Sequence, residues 1–447
     1  MSDKVAKVHS GVIGWYWPGT RQAKSLNREP ERGYLKLGDN GLLELVALDE
    51  SDVLKLHLGA PTRPSVITGA TDAGGIMLLD IAGTGRTANF GGSAASIMRY
   101  RARTLVTGLD ISKVRNSKLR SLSAHYFGIS SWFNISATKE EWHHHPGSAR
   151  LKAFSLSVDT IDNQSATLPN GRKLTVTAYW RISGPSDQRS IHAPISMGCS
   201  AQRAKSIQQL RQPLLRAQDL ISLAFGGHVT AANGQAVPDL KDGSQPDVTP
   251  AAWDYHLMAR APGVQPVKEK DLPYFYCVDI GGPAGVARWI ALCQNHPRAI
   301  RPLVERFRLG KPSAPLRLME VAAGMEYWVN VNRGARVWAR VRCPQRRHGC
   351  GFAWPIASYV GPDFADWCGG DSHAWAQRFW STYNKLKHDP AAVDEYEISL
   401  LADTGHLLLT AAILRRIAGS RKPAKRIFEG SSHRTWQLRS EIHKLLP

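Results

Sequence analysis

From residue 8 to about residue 200, apolar positions come in short runs rich in β-branched and aromatic side chains, separated by Gly, Asn and Asp. The segments 33–37, 42–47, 53–58, 65–68, 76–81, 123–126 and 153–158 have the length and composition of strands. Asn170-Gly171 falls between two such runs, and both residues accept positive φ, so it predicts a two-residue hairpin turn. An antiparallel, sandwich-like β domain follows from this pattern. The periodicity then changes. Residues 206–225 have helical spacing, with a bend expected at Pro213, and 226–273 carries Gly234, Pro238, Gly243, Pro246, Pro250, Pro262 and Pro266, a loop and linker composition. Beyond it, 284–309, 316–328, a run from Ala374 to His388 and the leucine-rich 393–418 all predict helices, with Pro312–Pro315 and Pro390 as stops. The expected architecture is α+β: a β-rich domain over 1–225, a connecting segment over 226–282, and an all-α bundle with a basic tail over 283–447. No repeat of fixed period is present.

A length of 447 residues fits two or three domains. The formal net charge of +20 changes the picture more, because it points to a polyanionic partner: RNA, DNA or an anionic membrane. Against a membrane, the first nineteen residues lack a charged start followed by an apolar centre, and the most apolar late stretch, 398–414, contains Asp403 and His406. A soluble, cytoplasmic protein is expected. Six scattered cysteines form no secreted disulfide framework.

The strongest chemical candidate is the helix end Tyr383-Asn384-Lys385-Leu386-Lys387-His388. Asn384 and His388 stand four apart and share a face, with Lys385 and Lys387 beside them. An amide, an imidazole and cations at one helix end are the groups needed to handle a phosphodiester. The plain alternative is a solvated C-terminus, where Lys and His are favoured by the helix dipole. From Arg415 onward the chain is basic, and Arg415, Arg416, Lys422, Lys425 and Arg426, with Arg378, are candidate RNA contacts through phosphate neutralisation. Cys343, His348, Cys350, Cys368 and His373 have the wrong spacing for a common zinc knuckle, and read as small buried groups or surface histidines, so no metal or other cofactor is expected. His143-His144-His145 cannot all face one ion on regular structure. Gly83-x-Gly85 lacks a following Gly-Lys-Ser/Thr. Trp15, Tyr16 and Trp17 read as core aromatics before base-stacking ones.

Two groups of residues carry a family resemblance. Gly11-Val12-Ile13-Gly14-Trp15-Tyr16-Trp17-Pro18-Gly19, Gly33-Tyr34-Leu35, 42–45, Val66-Ile67-Thr68-Gly69, 76–80 and 123–133 resemble the N-terminal domain of ApeA-like anti-phage defence proteins. A helix ending near Glu326, a helix ending Asn-x-x-x-His and a leucine-rich helix resemble the C-terminal HEPN domain that follows it, a four-helix bundle whose ribonuclease members carry Arg-Asn-x-x-x-His. Tyr383 stands in the place of that Arg. The resemblance implies a metal-independent endoribonuclease of abortive infection. RNA, tRNA among the candidates, would be the substrate, and a homodimer or higher homo-oligomer would be triggered by a phage product. It assigns acid–base work to His388, orientation to Asn384, charge stabilisation to Lys385 or Lys387, and support to Glu326. The rival expectations are a catalytically inactive HEPN module that binds nucleic acid or protein, and a β-domain recognition protein whose helical half dimerises.

Overall fold

The computed structural model describes residues 3–19, 29–49, 63–87, 96–159, 161–178, 180–232, 234–243, 247–334, 349–388, 394–429 and 433–446; the expected strand at 53–58 lies outside them. The chain divides into two compact units. One comprises Met1–Phe127, Ala137–Leu215 and Thr230–Ala259, the other Gly128–Ser136, Arg216–Val229 and Arg260–Pro447. The first is β-rich and the second helical, so the α+β class expected from the hydrophobic pattern holds.

The first unit opens with the helix Asp3–Ser10, then β1 (Val12–Gly19), β2 (Glu31–Leu37), β3 (Leu43–Asp49), β4 (Val66–Thr71), β5 (Gly74–Thr87) and β6 (Ser96–Leu109). These strands pair antiparallel in the order β6-β3-β2-β1-β4-β5, and β5 pairs back onto β6, closing a ring of six. Alternation along β3 shows why the ring has an inside: Leu43, Leu45 and Ala47 are buried, while Val46 and Leu48 are exposed. Tyr16 fills part of that interior over Gly33 and Gly69. A Cβ on Gly69 would meet the ring at 2.8 Å and one on Gly33 at 3.1 Å, so glycine makes room for the aromatic. Val5 and Val8 of the first helix join the same buried cluster. Of the N-terminal aromatics, only Tyr16 is fully core; Trp15 is 43% exposed with the Arg32 guanidinium 4.8 Å above its ring.

The sheet continues beyond the ring through β7 (Val114–Tyr126), then β8 (Thr138–His144), β9 (Leu151–Val158), β10 (Gln164–Thr167), β11 (Lys173–Ala178), β12 (Arg181–Ser183), β13 (Ser190–His192), β14 (Ile195–Lys205), β15 (Ala231–Ala232), β16 (Gly234–Leu240) and β17 (Ala251–Asp254). From β6 the order runs β17-β16-β7-β14-β11-β10, while β8–β9 and β12–β13 form separate hairpins. The β10–β11 hairpin turns at Asn170-Gly171 with Gly171 at φ 75° and its N–H donating to Leu168 at 2.9 Å, as the sequence predicts. His143 and His144 lie exposed on β8, bonded within the hairpin to Ser155 and the Ala149 carbonyl.

The segment with linker composition differs from expectation. It contributes β16 and β17 to the sheet, and Pro238 is accommodated where the β16–β7 register shifts, a place where a missing N–H costs no ladder bond. The expected 284–309 helix falls into three pieces, Gly282–Asn295, Pro297–Val304 and Arg306–Leu309, with Pro297 opening the second and the second break at Glu305. The helical unit continues with Ala314–Asn332, Ala353–Val360, Pro362–Trp367, Ser372–His388, Glu395–Ala418, Lys422–Glu429 and His433–Leu445. Glu395–Ala418 is long and apolar enough to cross a membrane, but most of that apolar surface is buried inside this unit, where it serves as the central helix.

Candidate functional site

Helix Ser372–His388 owes its position to one apolar face. Asp371 caps its start, its Oδ1 accepting from the Ala374 N–H at 2.8 Å. Trp375, Ala376, Phe379, Thr382 and Leu386 are buried at helical spacing. Phe379 is the tightest contact. Its ring lies 5.1 Å from that of Trp375, and a Cβ on Gly405 of the central helix would stand 2.6 Å from it, so the two helices approach through that glycine. Asn384, Lys385, Lys387 and His388 fall on the opposite, exposed side, in the last turn and a half. The structure thus groups four of the predicted residues at one solvent-facing helix end.

Arg378 and Tyr383 have been given other partners. Arg378 donates from Nε and Nη2 to both oxygens of Glu397, at 2.6 and 2.7 Å, and the Thr382 hydroxyl adds a third bond to Glu397 at 2.8 Å. The Arg378 hydrogen bonds, aided by Thr382 and the charges of Arg378 and Lys385, hold the Glu397 carboxyl below the usual range against the effect of burial. This forked pair ties the helix to the start of Glu395–Ala418, which Asp394 caps. Tyr383 sits in an aromatic ladder, 5.0 Å from the Trp380 ring, which lies 5.5 Å from Phe352. The Lys387 ammonium rests 5.8 Å from the Tyr383 centroid. A phenol cannot fork onto phosphate as Arg does, but its ring face holds a cation one turn on.

The remaining predicted residues are dispersed. Glu326 is exposed on Ala314–Asn332, a helix packed against Ser372–His388, and among the described residues no hydrogen bond or ion pair joins it to His388. Arg415 donates to the Tyr359 and Val360 carbonyls and stacks over Tyr359 at 4.6 Å, closing the end of Ala353–Val360. The basic tail is built of packed helices. Arg421 forks onto Asp363 at 3.0 and 2.7 Å, Lys425 pairs with Glu429 at 3.6 Å, and Arg426 lies 4.8 Å over Tyr276. Arg416 and Lys422 are exposed. Cys343 and His348 lie outside the described residues. Cys350 Sγ is 3.3 Å from His373 Nε2, whereas the Cys368 thiol, pushed up to about 12 by burial, faces the Ala365 carbonyl at 3.3 Å. Among the described residues no three His, Cys, Asp or Glu side chains converge as a metal would require. Gly83 and Gly85 lie within β5, paired with Arg101 and Arg99.

Two charged clusters went unread in the sequence. In the β unit, Asp80 adopts φ 53° in the middle of β5, a conformation a non-glycine residue holds only when neighbours impose it. Arg211 Nη1 at 3.1 Å, His256 Nε2 at 3.4 Å and Arg103 Nη1 at 4.0 Å surround its carboxylate. Arg211 also reaches Asp254 at 3.4 Å, and Asp254 accepts from Thr104 at 3.0 Å. The only sequence signal was a lone Asp inside an apolar strand run. In the helical unit, His406 is buried on the leucine-rich helix and the half-buried Asp403 stands three residues before it among Arg306, Lys311 and Arg317, partners that the sequence does not show.

Histidine burial sets a pH dependence. His228 is 1% exposed, and burial, with the charges of Arg308 and Arg260, lowers its pKa to about 4; the Phe307 carbonyl and Asp219 act the other way. Burial likewise holds His406 well below its ordinary value. The unfolded chain takes up these protons near pH 6.5 and the fold refuses them until lower pH. The stability that His228 contributes is therefore present above about 6.5 and falls between there and about 4, by roughly 1.4 kcal/mol per pH unit, and His406 acts in the same direction. Urea midpoints should be flat from pH 7.5 to 6.5 and decline below, with a shallower slope in His228→Gln. An unchanged midpoint down to pH 4.5 contradicts the buried neutral state.

A search of curated proteins yields no match, and neither does a search of solved structures. A family model does match: that of the ApeA N-terminal domain 1, over residues 11–289, which takes in strands β1 to β17, the helices between them and the first part of helix Gly282–Asn295. With more than half of the chain covered by that model, from the closed ring of β1–β6 onward, the protein belongs to the ApeA N-terminal domain family.

Proposed function

We propose that this protein is a metal-independent endoribonuclease of anti-phage defence, with its cutting groups at the end of helix Ser372–His388. Family membership supports the antiviral role. The observation that carries the catalytic reading is the exposed Asn384/His388 pair, one turn apart, beside Lys385 and a Lys387 seated on Tyr383. RNA brings its own nucleophile. The 2′-hydroxyl attacks the adjacent phosphorus, a 2′,3′-cyclic phosphate forms and the 5′-oxygen leaves. His388 serves as the general acid or base for these proton transfers, since an imidazole titrates near neutrality. Asn384 orients the phosphate or His388, and the two lysines stabilise charge on the phosphorane. By resemblance to HEPN ribonucleases, two copies of the motif meet across a homodimer.

Cleavage should persist in EDTA and leave 2′,3′-cyclic phosphate ends. A product with a 3′-hydroxyl and 5′-phosphate, or activity lost with chelation, points instead to metal-assisted hydrolysis.

Tyr383 in the Arg place favours a second reading, a binding-only module. Lys385→Ala with Lys387→Ala should lower the rate at saturating RNA by about tenfold or more, while Tyr383→Arg leaves it similar or raises it. Wild type inert toward RNA beside an active Tyr383→Arg establishes the binding-only reading. A double lysine variant as fast as wild type removes these lysines from the mechanism.

A further inference from the structure

The helical unit contains a cavity of about 710 Å³, within the range of sites that hold small molecules. Its charged wall is organised around Asp403. Arg306 Nη1 lies 3.7 Å from Asp403 Oδ1 and Lys311 Nζ 3.6 Å from Oδ2, while the Arg317 guanidinium bonds Oδ1 and also Ser399 Oγ, the latter at 3.0 Å. Three cations share one carboxylate, a local surplus of two positive charges. Arg306 and Arg317 are held close in a setting of reduced dielectric, where like charges repel more strongly than in water. The Nε atoms of both are buried with no hydrogen-bond partner.

The neighbouring histidines do not relieve the surplus. His406 donates from Nε2 to the Leu303 carbonyl at 3.0 Å, which leaves Nδ1 to accept from Arg306 at 3.3 Å; it is neutral and fixes the arginine in place. His228, on the same cavity wall, is 1% exposed, with both ring nitrogens buried and the Phe307 carbonyl beside the ring. Asp271 also lines the cavity, and its carboxylate accepts the Lys268 amide at 2.8 Å. A buried donor without a partner, as at Nε of Arg306, costs stability unless a ligand completes it.

We infer that this cavity binds a phosphorylated small molecule of nucleotide size, with the phosphate against Arg306 and Lys311 and the organic part against Tyr274, Phe307 and His228. A phosphate monoester carries about −1.5 to −2 at neutral pH, the sign that the cations grouped around Asp403 attract, Arg306 and Lys311 on the cavity wall and Arg317 behind it, with Asp271 the other carboxylate on that wall. Arg306, the Lys311 arm and the neutral His406 behind them form an anion seat in which Lys311, 61% exposed and held by its 3.6 Å pairing with Asp403, faces the incoming ligand. No residue lining the cavity belongs to helix Ser372–His388, and the inference does not depend on the nuclease reading.

The test is titration of the full-length protein with inorganic phosphate, adenosine, AMP, ATP and GTP, by calorimetry at low and at physiological salt. Saturable binding of one phosphorylated probe per chain is expected. It should weaken about tenfold or more in Lys311→Glu, which alters an exposed side chain and keeps the fold, and in Arg306→Met where that variant melts like wild type. Binding should be retained in Lys385→Ala with Lys387→Ala, which separates this site from an RNA-facing one. The inference is overturned by absence of saturable binding of all four phosphorylated probes up to millimolar concentration, by equal affinity in Lys311→Glu, or by adenosine binding as tightly as AMP.

Discussion

His388→Ala should abolish RNA cleavage, and with it any growth arrest on expression, while the protein melts as wild type does. The side chain is exposed at the last turn of its helix, so its removal takes little packing with it. A general acid–base group supplies roughly 10²–10⁴-fold in rate, and more is lost when the same residue serves both proton transfers. The loss should appear in the rate at saturating RNA, with binding largely kept, because the lysines that meet the phosphate remain. Undiminished cleavage by purified His388→Ala sinks the catalytic assignment. Growth arrest that survives in the variant without cleavage separates toxicity from RNA hydrolysis.

Phe379→Ala should act through stability. Its ring is fully buried, lies against Trp375, and fills the space Gly405 leaves on the central helix. Large-to-small changes at such a site cost about 3–5 kcal/mol, because neither the glycine backbone nor the rigid Trp375 ring can close the gap. That is a large share of the 5–15 kcal/mol typical of a folded domain, so the helical unit should unfold at markedly lower denaturant. Cleavage should fall in proportion to the folded fraction. A shift below about 1 kcal/mol means that this helix is not seated on the central helix as described.

What the sequence made legible was local. Asn170-Gly171 set a hairpin because the turn chemistry resides in the two residues themselves, and the Trp375–Leu386 stripe set a helix because one face carries its apolar groups. Helix Asp3–Ser10 was not read, because only Val5 and Val8 mark its buried face, and one i, i+3 pair is too short a stripe to establish a period. Closure of the ring depends on β5 meeting β6, a matter of twist and register that no short window contains. Strand β16 was hidden by Pro238 and by pairing with β7, more than a hundred residues earlier. At the candidate site, the spacing of Asn384 and His388 was readable. The capture of Arg378 by Glu397 was not, since a charge on a solvated helix face gives no sign of which distant carboxylate will meet it. Asp80 shows the same limit, as its partners Arg211 and His256 lie far along the chain.

The late arrival of β17 has a bearing on the order of events during synthesis. Residues Thr104–Thr107 of β6, beyond its pairing with β3, have β5 on one side and lack a neighbour on the other until Ala251–Asp254 emerges to pair with them, so the β unit cannot be completed earlier. His388 follows β17 by ~130 residues, which at about 5–20 residues per second is a delay of roughly 7 to 27 seconds. Each nascent chain therefore has a window in which its β unit can be whole while the helix end that would cut RNA does not yet exist. A cell making this protein acquires the family-defining fold before the Asn384/His388 turn, and synthesis that ends within that interval yields a product lacking that turn.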